Sequence, residues 1–256
     1  MSDHVQVSTS DSICHLRMAR PEKKNALTAE MYAAMADSLA EAERDASVRV
    51  ILISGIGGSF TAGNDLADFL ASPPMDDSAP VFRFITGFAA LQKPFVAAVE
   101  GVAVCVGTTI LLHCDLAYAA AGARFALPFA NLGLTPEAAS SLLLPLRAGY
   151  ARAAELLMLG EAFSAQTALE LGIVNAVVPD GTAVEHALER CRKLAAQPAA
   201  AVRQTKSLMR RAQPGDVGLA MRMEAEVFRD RLRSPEAREA FAAFLEKRKP
   251  DFSRFG

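Results

Sequence analysis

The chain has 256 residues, 51% of them hydrophobic, and a formal net charge of −2. That length and apolar content suit one large packed unit and exclude an intrinsically disordered chain; the near-balanced charge excludes a broad basic face for nucleic acid. The four cysteines (Cys14, Cys105, Cys114, Cys191) show no paired metal spacing, and the polar N-terminus MSDHVQVSTSD lacks a signal-peptide core, so reduced thiols in a cytoplasmic protein are expected.

Residues 5–7 and 13–18 alternate apolar and polar side chains around Ser10-Asp11-Ser12, a hairpin pattern. Residues 20–25 form a polar loop, and Thr28 is placed to cap a helix over 29–45 whose Met31, Met35 and Leu39 share one face. Residues 48–54 are apolar without alternation, which predicts a strand buried on both faces. Asn64 or Asp65 can cap a short helix towards Leu70. Residues 71–80 are rich in breakers, and 82–91 read as a helix. A strand over 95–99 breaks at Glu100-Gly101, and a helix is predicted from about 106 to 113. Residues 95–112 approach the length of a bilayer span, but Glu100 and its glycines interrupt them, so no membrane segment is expected. Strands over 116–120 and 123–127 follow.

Thr135-Pro136-Glu137 carries the marks of a helix start: a capping hydroxyl, proline at the first position, then an acid. Helices are predicted over 138–146, 150–159, 165–171 and 182–196, with a strand over 174–178. Beyond 199 only helices are predicted, over 199–211, 217–232 and 235–248. Strand–helix alternation followed by helices alone predicts an α/β core over residues 1–195 and a helical region over 196–256. The basic residues of 203–211 and 229–254 interleave with acids and read as solvated helix faces.

Two stretches, 48–66 and 96–116, share one plan: an apolar strand runs through glycines into a helix start. Such turns can bring two backbone N–H groups side by side as an oxyanion hole. Dinucleotide, Walker A and nucleophile-elbow motifs are absent, and His113 and His186 have no evident nucleophile partner. His113-Cys114-Asp115 offers ligand types, but adjacent helical residues point in different directions, so no metal site is expected.

SFTAGNDL (Ser59–Leu66) resembles the SFxAGxDL signature of the crotonase, or enoyl-CoA hydratase/isomerase, superfamily. VEGVAVCVGTTILLHCDLAYA (Val99–Ala119) and FALPFANLGLTPEAASSLLLP (Phe125–Pro145) resemble its second and third motifs, and RPEKKNAL (Arg20–Leu27) and AFLEKRKPDF (Ala243–Phe252) its ends. The resemblance implies a spiral of ββα units with a C-terminal helical trimerisation region, a homotrimer or a dimer of trimers, and acyl-CoA thioester substrates with no further cofactor.

It places the two oxyanion donors on the N–H groups of Ala62 and Val106. Val106 stands where the family commonly has glycine, but a backbone donor needs no particular side chain. Coenzyme A contacts are implied for Lys24, Ala26, Leu27, Gly63, Asn64, Asp65 and Leu66. Val102, Val104, Thr109, Phe129 and Pro136 would line the substrate site. Phe228, Phe244 and Lys247 would lie towards the nucleotide, across a subunit boundary. Asp65 and Glu100, read from the residues alone, are a helix cap and a turn residue.

The two glutamates of the family's hydratases fall here on Thr109 and Phe129, neither of which titrates near neutrality. Glu137 matches the glutamate of the Δ3,Δ2-enoyl-CoA isomerase branch. An acid in a first helical turn is otherwise commonplace. Apolar neighbours (Leu127, Phe129, Leu132, Leu134) would raise its pKa, and a helix N-terminus would lower it. The expectation is isomerisation of 3-enoyl-CoA to 2-enoyl-CoA in fatty acid metabolism, with Glu137 as sole proton shuttle. The alternatives are another crotonase-type reaction, hydration or thioester hydrolysis, and a non-catalytic acyl-CoA-binding subunit.

Overall fold

A computed structural model of the chain describes residues 2–211 and 216–255. Strands β1 (Val5–Ser10) and β2 (Ile13–Met18) pair antiparallel through a two-residue turn. Asp11 and Ser12 both take positive φ there (51° and 61°), the twist that fits a tight hairpin. The Thr28 hydroxyl accepts the Met31 N–H and opens α1 (Ala29–Arg44). Strand β3 (Val50–Gly55) lies parallel to β2, and Asp65 caps α2 (Leu66–Ala71). Helix α3 (Pro80–Ala90) and strand β4 (Phe95–Val99) follow.

Next come a short strand β5 (Val102–Val104), helix α4 (Val106–Thr109) running on into a 3-10 turn at Ile110–Leu112, and strands β6 (Leu116–Ala120) and β7 (Arg124–Ala126). Helices α5 (Ser140–Ala148) and α6 (Tyr150–Ala154) lead through a π turn to β8 (Phe163–Ser164), α7 (Ala165–Glu170) and β9 (Ala176–Val178). The chain then holds α8 (Ala183–Ala195), α9 (Ala199–Arg211), α10 (Val217–Leu232) and α11 (Pro235–Leu245).

The main sheet runs β1-β2-β3-β4-β6-β9, parallel except at the hairpin, and the smaller sheet runs β5-β7-β8. Alternate residues of β3 serve two cores. Ile51 and Ile53 face the main cluster, which includes Phe60, Phe84, Phe125 and Phe129. Val50 and Leu52 face α8 through Ala183, Ala187 and Cys191. Two covered faces explain the unbroken apolar run. Glu100 ties α8 down by accepting the N–H groups of Gly181 and Ala183. All four cysteines are buried and unpaired. The main cluster also takes in Phe228, Ala237 and Phe241, so α10 and α11 close over the core beside the third motif.

Two sequence expectations fail here. β5 is a strand inside what reads as the lead-in to a helix, because Val104 pairs with Thr61 and Ala126 rather than with its own turn. The Thr135-Pro136-Glu137 helix start is absent. Ala138 and Ala139 stand at φ +57° and +55°, and α5 begins only at Ser140. Left-handed alanines cost roughly 1–2 kcal/mol each, and tertiary hydrogen bonds described below override the local capping pattern.

Candidate active site

The site grows out of the two glycine turns. In the first, Thr61 is stitched to the smaller sheet: its N–H donates to Val102 (2.9 Å), its carbonyl accepts from Val104 (3.0 Å). The fully buried Asn25 side chain holds the same loop by donating to the carbonyls of Ile56 (2.9 Å) and Ser59 (2.7 Å). Gly63 has φ +85°, and a Cβ there would stand 3.1 Å from the Val104 carbonyl oxygen, so only glycine lets the loop lie this close.

The register around Gly63 decides which N–H is open. Ala62 donates to the Lys24 carbonyl (2.9 Å), Leu27 to Gly63 (2.8 Å) and Asp65 to Leu27 (2.8 Å). The expectation for Ala62 is therefore corrected: its N–H is engaged. The N–H of Asn64 meets no acceptor among the described residues. The buried Tyr32 hydroxyl, from α1, donates to the Asn64 side-chain oxygen and pins that residue.

In the second turn the positive φ falls on Cys105 (φ 52°, ψ −117°), one residue before Val106. Val106 opens α4, and its N–H likewise meets no acceptor among the described residues. The valine at this position is thus compatible with the turn, because the left-handed residue is its neighbour.

Glu137 stands between two cavities. One, of about 580 Å3, is walled by Asn64, Val104, Cys105, Phe129 and Leu134. The other, of about 590 Å3, is walled by Phe82, Ile85, Met221 and Phe228. Glu137 is 7% exposed, and its Oε1 has no hydrogen-bond partner. Burial, and secondarily the nearby Glu224 carboxylate, pushes its carboxyl up to about 8. A helix N-terminus does not offset this, since Glu137 precedes α5 and the two left-handed alanines.

Of the other expected site residues, Ala26, Ala62, Asn64, Asp65, Leu66 and Val104 line the first cavity, as do Phe129, Phe228 and Phe244. Lys24 does not; Lys23 takes that place, and the Lys24 carbonyl holds Ala62 instead. Leu27 and Gly63 fix the loop by backbone bonds, and Val102 does the same from β5. Thr109 is fully buried with its hydroxyl 3.5 Å from the Val106 carbonyl. Pro136 and the exposed Lys247 line neither cavity.

Asp65 caps α2 and bonds Arg20 at 2.7 Å. Burial alone would raise its carboxyl, but Arg20 and the capping N–H groups hold it below the usual range. Sequence reasoning missed Tyr32, Cys105 and Glu224, which carry no local motif and reach the site only through the fold. No group of three metal-ligating side chains lies together among the described residues, and no described helix is long and apolar enough to cross a membrane.

Asn64 and Glu137 line the same cavity, and Val106, which lines neither cavity, follows Cys105 on its wall. Open N–H groups near a buried carboxyl are the parts needed to stabilise an enolate and move a proton. Comparisons with known proteins place the chain in a family. The enoyl-CoA hydratase/isomerase family model matches residues 8–254. The chain is 36% identical to 1,2-epoxyphenylacetyl-CoA isomerase of Escherichia coli K12, over 99% of each chain. It is 32% identical to human enoyl-CoA delta isomerase 2, over 94% of this chain and 63% of that protein. Hydratases match as well. The structure of Pseudomonas aeruginosa OdaA superposes with a TM-score of 0.92 at 46% identity, over 95% of this chain and 99% of that one. Motifs, fold and relatives agree that the chain belongs to the enoyl-CoA hydratase/isomerase family of the crotonase superfamily.

Proposed function

We propose that this enzyme converts 3-enoyl-CoA to 2-enoyl-CoA, in fatty acid metabolism and in the cytoplasm. The observation that carries the reading is the single unpartnered carboxyl of Glu137 in an apolar wall, with Thr109 and Phe129 where water-handling acids would be needed. The thioester oxygen accepts the Asn64 and Val106 N–H groups. Glu137 takes a proton from C2, the electron pair spreads over the dienolate, and the same carboxyl returns the proton at C4. One preorganised donor to such an oxyanion is worth about 3 kcal/mol of barrier. The raised pKa suits this shuttle, because a base near 8 both removes and returns a proton readily close to neutral pH.

The test is 3-hexenoyl-CoA followed by the absorbance of the conjugated product. Conversion by the enzyme, lost at least a thousandfold in Glu137→Gln, is the expected result. Water addition to crotonyl-CoA at a comparable rate would replace the reading with hydration, and binding without turnover would replace it with a binding subunit.

A homotrimer or dimer of trimers is proposed with this activity. Leu219, Met223 and Val227 form an exposed apolar stripe along α10, with Leu208 and Met209 exposed on α9, which supports a covered face.

A further inference from the structure

The turn that presents Glu137 is strained, with left-handed Ala138 and Ala139, and it is held by more than its own helix. His113 Nε2–H donates to the Ala138 carbonyl (2.6 Å), and the Ser140 hydroxyl donates to the carbonyl of Glu137 itself (2.6 Å). The strongest fastening comes from far along the chain. The Glu224 carboxylate, on α10, accepts the Ala139 N–H (2.6 Å), the Ser141 N–H (2.9 Å) and the Ser141 hydroxyl.

As a helix cap alone, Glu224 is a poor choice. It is 8% exposed, so burial raises its carboxyl, against which the donors of Ser141 and Ala139 favour the charged form. It also shares a cavity wall with another carboxyl. A serine or asparagine flanking α5 would satisfy the same N–H groups without burying a second acid. The placement makes sense if the charge itself matters to Glu137.

We infer that Glu224 is a positioning residue for the proposed base: from α10 it locks the left-handed turn at Ala138-Ala139, and it sets a negative charge beside Glu137. The inference rests on Glu137 being the proton shuttle. Other groups near Glu137 do not supply that charge. Tyr32 from α1 and Cys105 from the turn before α4 both stay neutral, because burial raises each. Helix α3 offers only Phe82, Ile85 and Thr86 to the shared cavity. Arg229 at its rim is paired with Asp77 (2.6 Å), and Arg222 and Glu226 are exposed on α10. Across the other cavity, Asp65 is paired with Arg20, and Lys23 is exposed. Electrostatic pressure from Glu224 agrees with the elevated affinity of Glu137 for its proton.

The experiment is an infrared pH titration of the Glu137 carboxyl band, assigned by its loss in Glu137→Gln, alongside the pH profile of kcat/KM. In Glu224→Gln the band and the acidic limb move down by about one pH unit. kcat falls roughly tenfold while KM stays within twofold. If that variant does not fold, Glu224→Gln is combined with A138G and A139G, which relieve the left-handed strain, and the same downward shift is expected. A band that titrates where the wild type's does, in whichever variant folds, reduces Glu224 to a helix cap and overturns the inference. The titration needs no turnover. Wild-type enzyme inactive on 3-hexenoyl-CoA would sink the isomerase reading and leave the band to decide on Glu224.

Discussion

As the proposed base, Glu137 has to be buried and, at the moment of reaction, charged. Its carboxyl rises from an ordinary 4.5 to about 8 in the folded protein. Below pH 4.5 it is protonated in both folded and unfolded chains and contributes nothing. Between 4.5 and 8 the unfolded chain ionises while the folded one resists, so stability falls as pH rises, by about 5 kcal/mol over the window. Above 8 the loss is complete and constant. Glu137→Gln should therefore raise Tm more at pH 8.5 than at pH 5.5, measured by calorimetry. In the wild type kcat/KM should climb about tenfold per pH unit and level off near 8. An equal Tm difference at both pH values would show that the carboxyl is not buried neutral. This residue was legible in LGLTPEAASS, but its partner was not. Ala62 was the wrong N–H because the pairing of the loop with Lys24 and Leu27 decides which amide stays open, and a two-residue difference in register leaves no mark in SFTAGNDL.

At the scale of elements, most of what the apolar periodicity predicts is present: the hairpin, α1, β3, β4, β6 and the last three helices fall within a few residues of their expected bounds. The failures cluster at the site. β5 and the Glu137 turn are both held by partners distant in sequence, and both contain non-glycine residues at or beside positive φ. Cys105 is the sharpest case, at φ 52° and ψ −117°, where glycine is the comfortable residue. Its thiol is buried and its Cβ lies 3.4 Å from where a Cβ on Gly63 would stand, so it seals the gap between the two turns at the expense of backbone strain. Relief of that strain, typically 1–3 kcal/mol, outweighs the small apolar area lost. Cys105→Gly should hold or raise Tm, and Cys105→Val, branched at Cβ, should lower it and cut kcat through the displaced Val106 N–H. A clear drop in Tm for the glycine variant would mean that the strain is illusory.

The whole molecule is organised so that its C-terminal helices complete the site. Helix α10 buries Glu224 and Phe228 against the Glu137 turn and the two cavities, while Leu219, Met223 and Val227 face outward at the i, i+4 spacing of a single stripe. One helix thus has a side turned to the Glu137 turn and an exposed apolar side, a division that the amphipathic pattern of 217–232 does not assign to either task. If like chains cover the outer stripe, assembly and catalysis share a scaffold: whatever loosens α10 also loosens the carboxylate that fixes Ala139 and Ser141. Charging the stripe with Met223→Lys and Val227→Lys touches no residue lining either cavity. Sedimentation should then show a monomer in place of the oligomer, with kcat reduced several-fold and the acidic limb of the pH profile moved down as Glu224 loses its hold. A variant that stays assembled, or that dissociates with kcat and pH profile unchanged, would separate the outer face of α10 from the chemistry on its inner one.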